Sequence, residues 1–283
     1  MKLELQQLTA QYGDRVALQA VSATLEGQII GVLGANASGK TSLLRIVAGA
    51  AAPTAGRVLI DGVEVRPAKQ GPMVGKSDIS YLPQETGFFP FWQRPEETLS
   101  GALILRRVPG QDPRALLAAV GLGEEDRSAD EFSGGMKQKL RIAQALAHAP
   151  RVLILDEPTT GLDIRERFRL LRVFERLRGR VGVIFSTHQP GDAAAVCDRL
   201  LILHRGRAVA ADAPSAIRAA ADGRVFEFSL SSDALPDPSG VDLISAERER
   251  GGLRLRAVGN QPEGAAIVPA RLEDAYVFLT HAK

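Results

Sequence analysis

Short apolar runs without alternation recur along this chain, separated by stretches with helical spacing. The runs fall at residues 29–33, 79–82, 152–155, 181–185 and 200–203. Strands of this kind are buried on both faces, and their interleaving with amphipathic helices predicts an α/β fold with a largely parallel sheet. The N-terminal segments differ. Lys2-Leu3-Glu4-Leu5-Gln6 and Val21-Ser22-Ala23-Thr24-Leu25 alternate as half-exposed strands do, and Tyr12-Gly13-Asp14 reads as a turn. Residues 57–60 form a further strand, with Asp61-Gly62 as its hairpin turn.

Helical spacing begins directly after Gly34-Ala35-Asn36-Ala37-Ser38-Gly39-Lys40-Thr41, with Leu43, Leu44, Ile46 and Val47. It returns over residues 95–121, through Leu99, Ala102, Leu103, Leu116, Leu117 and Val120, with a break from Gly110 to Pro113. Phe132-Ser133-Gly134-Gly135-Met136-Lys137-Gln138 opens another helix, whose Met136, Leu140, Ala143 and Ala147 share a face and which Pro150 stops. After Gly161-Leu162-Asp163 a helix is expected to turn Ile164, Phe168, Leu171, Phe174 and Leu177 inward and its many arginines to solvent. Composition shifts near Pro214. Beyond it, residues 224–230 and 253–256 alternate, residues 231–240 form a polar loop, and residues 272–280 read as a closing helix. The expected division is a main domain over 1–213, with a helical subdomain at about 86–148, and a small accessory domain over 214–283.

Composition narrows the field. A chain of 283 residues that is 45% hydrophobic can bury a substantial core, which excludes global disorder. A net charge of +2 points to no polyanionic partner, so no nucleic acid is expected. One cysteine, Cys197, rules out an intrachain disulfide and fits a reducing compartment. The first residues lack the apolar core of a signal peptide, and no run approaches the roughly 18–20 apolar residues that span a bilayer. A role at a membrane would need another chain to cross it.

The chemistry concentrates in residues 34–41, which fit G-x-x-x-x-G-K-S/T between a strand and a helix. Backbone N–H groups of such a turn, with the helix N-terminus, make a concave anion site for phosphates. Lys40 brings a positive charge to the outer phosphates and the Thr41 hydroxyl can ligate Mg²⁺. A nucleoside triphosphate is the expected ligand. Asp156 and Glu157 end the apolar strand at 152–155, where one carboxylate can hold Mg²⁺ and the other can orient or deprotonate a water.

Taken together, and in this order, these segments resemble the ATP-binding subunits of ABC transporters over residues 1–210. Gly34 to Thr41 resembles Walker A, Ser133-Gly134-Gly135 the family signature, Val152 to Asp156 with Glu157 the Walker B strand, and Gly161-Leu162-Asp163 the D-loop. Gln84 stands for the Q-loop and His188 for the switch histidine. The resemblance implies a P-loop NTPase core with a parallel sheet, an N-terminal antiparallel β subdomain, a helical signature subdomain and a small α+β C-terminal appendage. It implies ATP and Mg²⁺ as cofactors, with Tyr12 stacking on adenine and Gly34, Asn36, Ala37, Ser38, Gly39, Lys40, Thr41 and Ser42 around the phosphates. Glu157, His188, Gln84 and Lys40 take catalytic roles, and Thr41, Gln84 and Asp156 hold the metal. Ser133, Gly134, Gly135 and Asp163 face nucleotide held by a second ATP-binding subunit, in a homodimer or heterodimer. The other implied partner is a polytopic permease, placing the chain on the cytoplasmic face of the membrane.

Some positions depart from the family pattern. Ala37 stands where many relatives have a third glycine, and Phe132 and Met136 where leucine and glutamine are common. The aromatic turn Gly87-Phe88-Phe89-Pro90-Phe91-Trp92 fits either an anchor for the permease or packing of the helical subdomain. Residues 271–280 resemble the closing helix of drug-, lipid- and antibiotic-export subunits paired with ABC-2 permeases, which favours an exporter. An importer subunit and a soluble ATPase acting on ribosomes or nucleic acid are the alternatives.

Overall fold

The computed structural model describes residues 1–67, 78–84, 94–106, 110–147, 149–231, 240–249 and 251–281. In chain order the elements are β1 (Lys2–Tyr12), β2 (Arg15–Glu26), β3 (Ile29–Leu33), α1 (Lys40–Val47), β4 (Ala55–Ile60), β5 (Val63–Glu64) and β6 (Ile79–Leu82). Next come α2 (Pro95–Arg106), α3 (Pro113–Ala119), α4 (Gly134–Leu146), β7 (Val152–Leu155), α5 (Ile164–Leu177), β8 (Gly182–Thr187), α6 (Pro190–Val196), β9 (Arg199–His204) and β10 (Arg207–Asp212). The chain ends through α7 (Pro214–Ala219), β11 (Val225–Leu230), β12 (Val241–Glu249), β13 (Gly252–Gly259), β14 (Ala266–Ile267) and α8 (Leu272–His281). The aromatic turn at Phe88 to Trp92 lies outside the described residues.

The central sheet runs β10-β9-β3-β8-β7-β6 and is parallel except for β10 at its edge. Strands β3 and β7 are apolar throughout, and β8 and β9 through their middles, because both faces are covered. Leu153, Leu155, Val183 and Phe185 point into a cluster with Leu99, Leu117, Leu140 and Phe174 from α2 to α5. Ile30, Val32, Ile154 and Ile184 point the other way, into a cluster with Leu43 and Leu44 of α1 and Leu3, Leu5 and Leu25 of β1 and β2. Those N-terminal strands belong to a separate antiparallel sheet, β2-β1-β4-β5. The α/β class is therefore as the patterning predicted, and the antiparallel N-terminal layer is as the family resemblance implied.

One helix departs from its pattern. Ile164 and Phe168, expected inside, are 69% and 51% exposed, whereas Leu170, Leu171, Val173, Phe174 and Leu177 are buried. In the first turns of α5 the inner positions belong to Glu166 and Arg167. Glu166 lies against Gly135, and Arg167 pairs with the buried Asp192 at 3.1 Å. Polar contacts thus displace the apolar stripe until the helix reaches the sheet.

The last strands form a third sheet, β12-β13-β11-β14. The closing helix α8 turns back from it onto the central sheet, where Leu272 and Ala275 share a cluster with Leu33, Leu200 and Ile202. A buried charge pair fixes it there. Arg256 of β13 donates from Nε to Asp274 Oδ1 at 2.9 Å and from Nη2 to Oδ2 at 2.6 Å, and the two side chains are 5% and 0% exposed. Glu227 and the Pro269 carbonyl accept its remaining hydrogen bonds. Tyr276, on the same helix, lies beside the backbone of Ala35.

Candidate functional site

The phosphate-binding loop joins β3 to α1 with no room to spare. A Cβ on Gly34 would come within 2.5 Å of the Leu203 carbonyl, and one on Gly39 equally close to that of Ala17. Gly39 has φ 105°, a conformation that a side chain resists, and it is the N-cap of α1. Ala37 also adopts a left-handed backbone, φ 63°, so alanine here accepts the strain that a glycine would avoid. Asn36 and Thr41 are exposed at the mouth, Ser42 is half-buried, and the buried Ser38 Oγ has no hydrogen-bond partner. An unpartnered buried hydroxyl in a loop of backbone donors suits an incoming phosphate oxygen.

Lys40 closes the loop on itself. Its Nζ donates to the Gly34 carbonyl at 2.8 Å and the Ala35 carbonyl at 2.9 Å, and lies 3.0 Å from Glu157 Oε1. Glu157 is held from several sides. Thr160 Oγ1 donates to its Oε2 at 2.8 Å, and His188 Nδ1 lies 3.0 Å from the same oxygen. Burial pushes the Glu157 carboxyl up, but the hydrogen bonds from Thr160 and Lys40, the Lys40 charge and the His188 contact outweigh it. Its pKa lies below the ordinary carboxylate value. Asp156, one residue earlier, accepts from Ser186 Oγ at 2.6 Å, and Tyr81 Oη approaches its other oxygen at 3.5 Å. Burial, and then the Asp156 charge, push the Tyr81 phenol up.

Parallel pairing explains this convergence. Leu33 pairs with Thr187, Leu82 with Leu155 and Leu155 with Phe185, so the residues just past β3, β6, β7 and β8 share one sheet edge. Asp156, Glu157, Ser186 and His188 meet there with Lys40. Gln84 lies beyond β6 at the same edge and is exposed. Tyr12 ends β1 and is 46% exposed. Among the described residues, no group of three His, Cys, Asp or Glu side chains is placed to cage a metal. The oxygen donors of Asp156 and Thr41 suit Mg²⁺, which completes its shell with waters and phosphates rather than an all-protein site.

The signature turn sits in the other layer. Ser133 caps α4 by accepting from the Met136 N–H, and Phe132 and Leu140 pack in the cluster of α2 to α5, across the sheet from α1. Gly135 is required by space: a Cβ would come 2.3 Å from Glu166 Oε2. Asp163 caps α5 by accepting from the Glu166 N–H at 2.9 Å. The structure thus joins Asp163 to Gly135 through Glu166, and Lys40 to Asp156, Glu157 and His188, as two separate groups. Thr160 and Ser186 escaped the sequence reading, because isolated serines and threonines have no motif of their own.

A phosphate-binding loop after β3 and an acidic end on β7, on parallel strands with β8 between them, place this molecule among the P-loop nucleotide hydrolases. Residues 18–160 match the family described as ABC transporter. The chain belongs to that family, and its fold is that of an ABC-class ATPase. Nod factor export ATP-binding protein I of Paraburkholderia xenovorans is 31% identical over 98% of this chain and 96% of its own. The spermidine/putrescine import ATP-binding protein PotA of Protochlamydia amoebophila is 35% identical over 70% of this chain, which spans 54% of that protein. Among solved structures, cbiO1 of Clostridium perfringens, part of the cbiONQ ABC transporter complex, superposes with a TM-score of 0.68. It is 25% identical, over 76% of this chain and 89% of its own.

Proposed function

We propose that this chain is the ATP-hydrolysing motor subunit of an exporter, working at the cytoplasmic face of the membrane on a separate polytopic permease. The observation behind this reading is the convergence of Lys40, Glu157 and His188 at one strand edge. Lys40 is engaged by two loop carbonyls and by Glu157, whose lowered pKa makes it a weak base. An arriving γ-phosphate competes for the Lys40 charge. Glu157, losing its cation while still buried, becomes a stronger base.

The Glu157 carboxylate then orients a water toward the γ-phosphorus and takes its proton as the new P–O bond forms. The bond from that phosphorus to the β–γ bridging oxygen breaks, giving ADP and inorganic phosphate. Asp156 and Thr41, with Gln84 alongside, would hold Mg²⁺, which would supply charge neutralisation on the phosphate oxygens. His188 holds the outer Glu157 oxygen and lies where the γ-phosphate departs. Tyr12 offers an exposed ring for the adenine.

The pairing reading rests on the separation of the two groups. Ser133, Gly134, Gly135 and Asp163 lie across the sheet from α1 and form a second anion site at a helix N-terminus. A head-to-tail dimer, with an identical or different ATP-binding subunit, would set that site over nucleotide held by the other chain. We read residues 1–213 as the ATP-binding unit, with its helical subdomain at about 86–148, and residues 214–283 as an accessory unit. Similarity to an export protein extends through that accessory unit. Similarity to an import protein covers 70% of the chain and is the support for the second reading, an importer subunit. No described helix is long and apolar enough to cross a membrane, so the permease would be a separate chain.

The test is affinity capture of the Glu157→Gln protein with ATP from detergent-solubilised native membranes, read by mass spectrometry. Stoichiometric recovery of a polytopic membrane protein supports the motor reading, and recovery of ribosomal proteins or nucleic acid contradicts it. ATP-driven accumulation of substrate in inside-out vesicles carrying the complex marks export, and ATP-driven depletion marks import.

A further inference from the structure

Ser186 lies at the end of β8, fully buried, next to β7. Its hydroxyl donates to Asp156 Oδ1 at 2.6 Å and accepts from the Glu157 backbone N–H at 2.8 Å. Glu157 has φ 46°, a left-handed conformation that a residue with a side chain adopts only when its surroundings fix it. That turn carries the Glu157 N–H to the Ser186 hydroxyl. A serine hydroxyl has one hydrogen and two lone pairs, and here the hydrogen and one lone pair join two neighbouring acidic residues. Donation to the Asp156 carboxylate makes the oxygen a better acceptor for the Glu157 N–H, so the two bonds strengthen each other.

We propose that Ser186 is a positioning residue for ATP hydrolysis, setting the Asp156 carboxylate and the Glu157 backbone through one hydroxyl. The inference rests on the reading of Glu157 as the base. At its other end Glu157 is fixed by Thr160, Lys40 and His188, so loss of Ser186 frees the backbone turn while leaving those contacts to the carboxylate. Asp156 keeps its backbone bond to the Leu82 carbonyl but loses the donor that fixes its Oδ1. Binding of the nucleotide through the P-loop is untouched. The defect falls on turnover.

The test compares Ser186→Ala, Ser186→Thr and Ser186→Cys with Glu157→Gln. The cysteine variant keeps the volume but bonds weakly, and it reports on the same role where alanine does not fold. In the nucleotide-free proteins, hydrogen exchange is followed on the peptide spanning Asp156 and Glu157; in the ATPase assay, kcat and KM are separated. For alanine and cysteine the expected results are faster exchange in that peptide, a kcat at least about tenfold lower and a KM within about twofold. Threonine restores both. A kcat within twofold of the parent in Ser186→Ala or Ser186→Cys, while Glu157→Gln is inactive, overturns the role of Ser186 alone. Unchanged exchange in that peptide does the same. Parent-like turnover in Glu157→Gln instead removes the base itself, and the positioning role goes with it.

Discussion

Lys40 Nζ and Glu157 Oε1 stand 3.0 Å apart, with the two side chains 4% and 8% exposed. The cation that is to meet the phosphates and the carboxylate that is to meet the water are thus each other's partner. A pair this well buried is costly to break from one side, because the remaining charge has no water to turn to. ATP removes that cost by offering Lys40 a better anion.

Lys40→Met is expected to lower stability at pH 7 by about 3 kcal/mol, since Glu157 is left buried without its cation. Folding depresses the Glu157 pKa, so its contribution is fully present above the unfolded carboxylate value and drains away as pH falls through the folded one. The gap in melting temperature between parent and variant therefore narrows as pH is lowered from neutral into the acid carboxylate range. Thermal melts across that range check it, and a constant gap would show that Glu157 does not feel Lys40.

Much of this site was legible because its residue types are dictated by chemistry. Two glycines with no room for a Cβ, a lysine at the helix start and a carboxylate pair after an apolar strand leave few other readings. What stayed hidden depends on tertiary register. Ile164 and Phe168 fit the apolar spacing of α5, yet spacing does not tell where a helix overhangs its sheet, and Glu166 and Arg167 took the inner positions. Ser186 and Thr160 acquire their partners only once β7 and β8 lie side by side. The short helices α6 and α7, and β12, which is mostly exposed, offer too few turns or too little alternation to signal themselves.

Ala37→Gly is expected to stabilise the fold by about 1 kcal/mol, because glycine adopts φ 63° without the clash an alanine Cβ makes there. Chemical denaturation measures the gain. A loss of stability would mean that the alanine methyl makes contacts that offset its backbone strain.

Gly135→Ala places a methyl 2.3 Å from Glu166 Oε2 and 2.8 Å from its Cβ, so the first turn of α5 must shift away from α4. The expected cost is about 1–3 kcal/mol. Because that turn begins at Asp163, ATPase activity falls with it, and denaturation and turnover measured on the same preparation test the coupling.

Asp274→Asn leaves Arg256 buried with one neutral partner in place of a carboxylate. Glu227 still pairs with Arg256, so a destabilisation of about 1.5–3 kcal/mol is expected, with α8 loosened from Leu33, Leu200 and Ile202. Hydrogen exchange over residues 272–281 reports it directly.

The most direct test of the hydrolytic assignment is ATP binding and single-turnover hydrolysis by Glu157→Gln in the assembled complex. The amide keeps the volume and can still accept from Thr160, but it cannot take a proton from water. ATP affinity should hold or rise while hydrolysis falls by at least about 100-fold. Hydrolysis within a few-fold of the parent would contradict the account, and the base would have to be sought elsewhere on the strand edge.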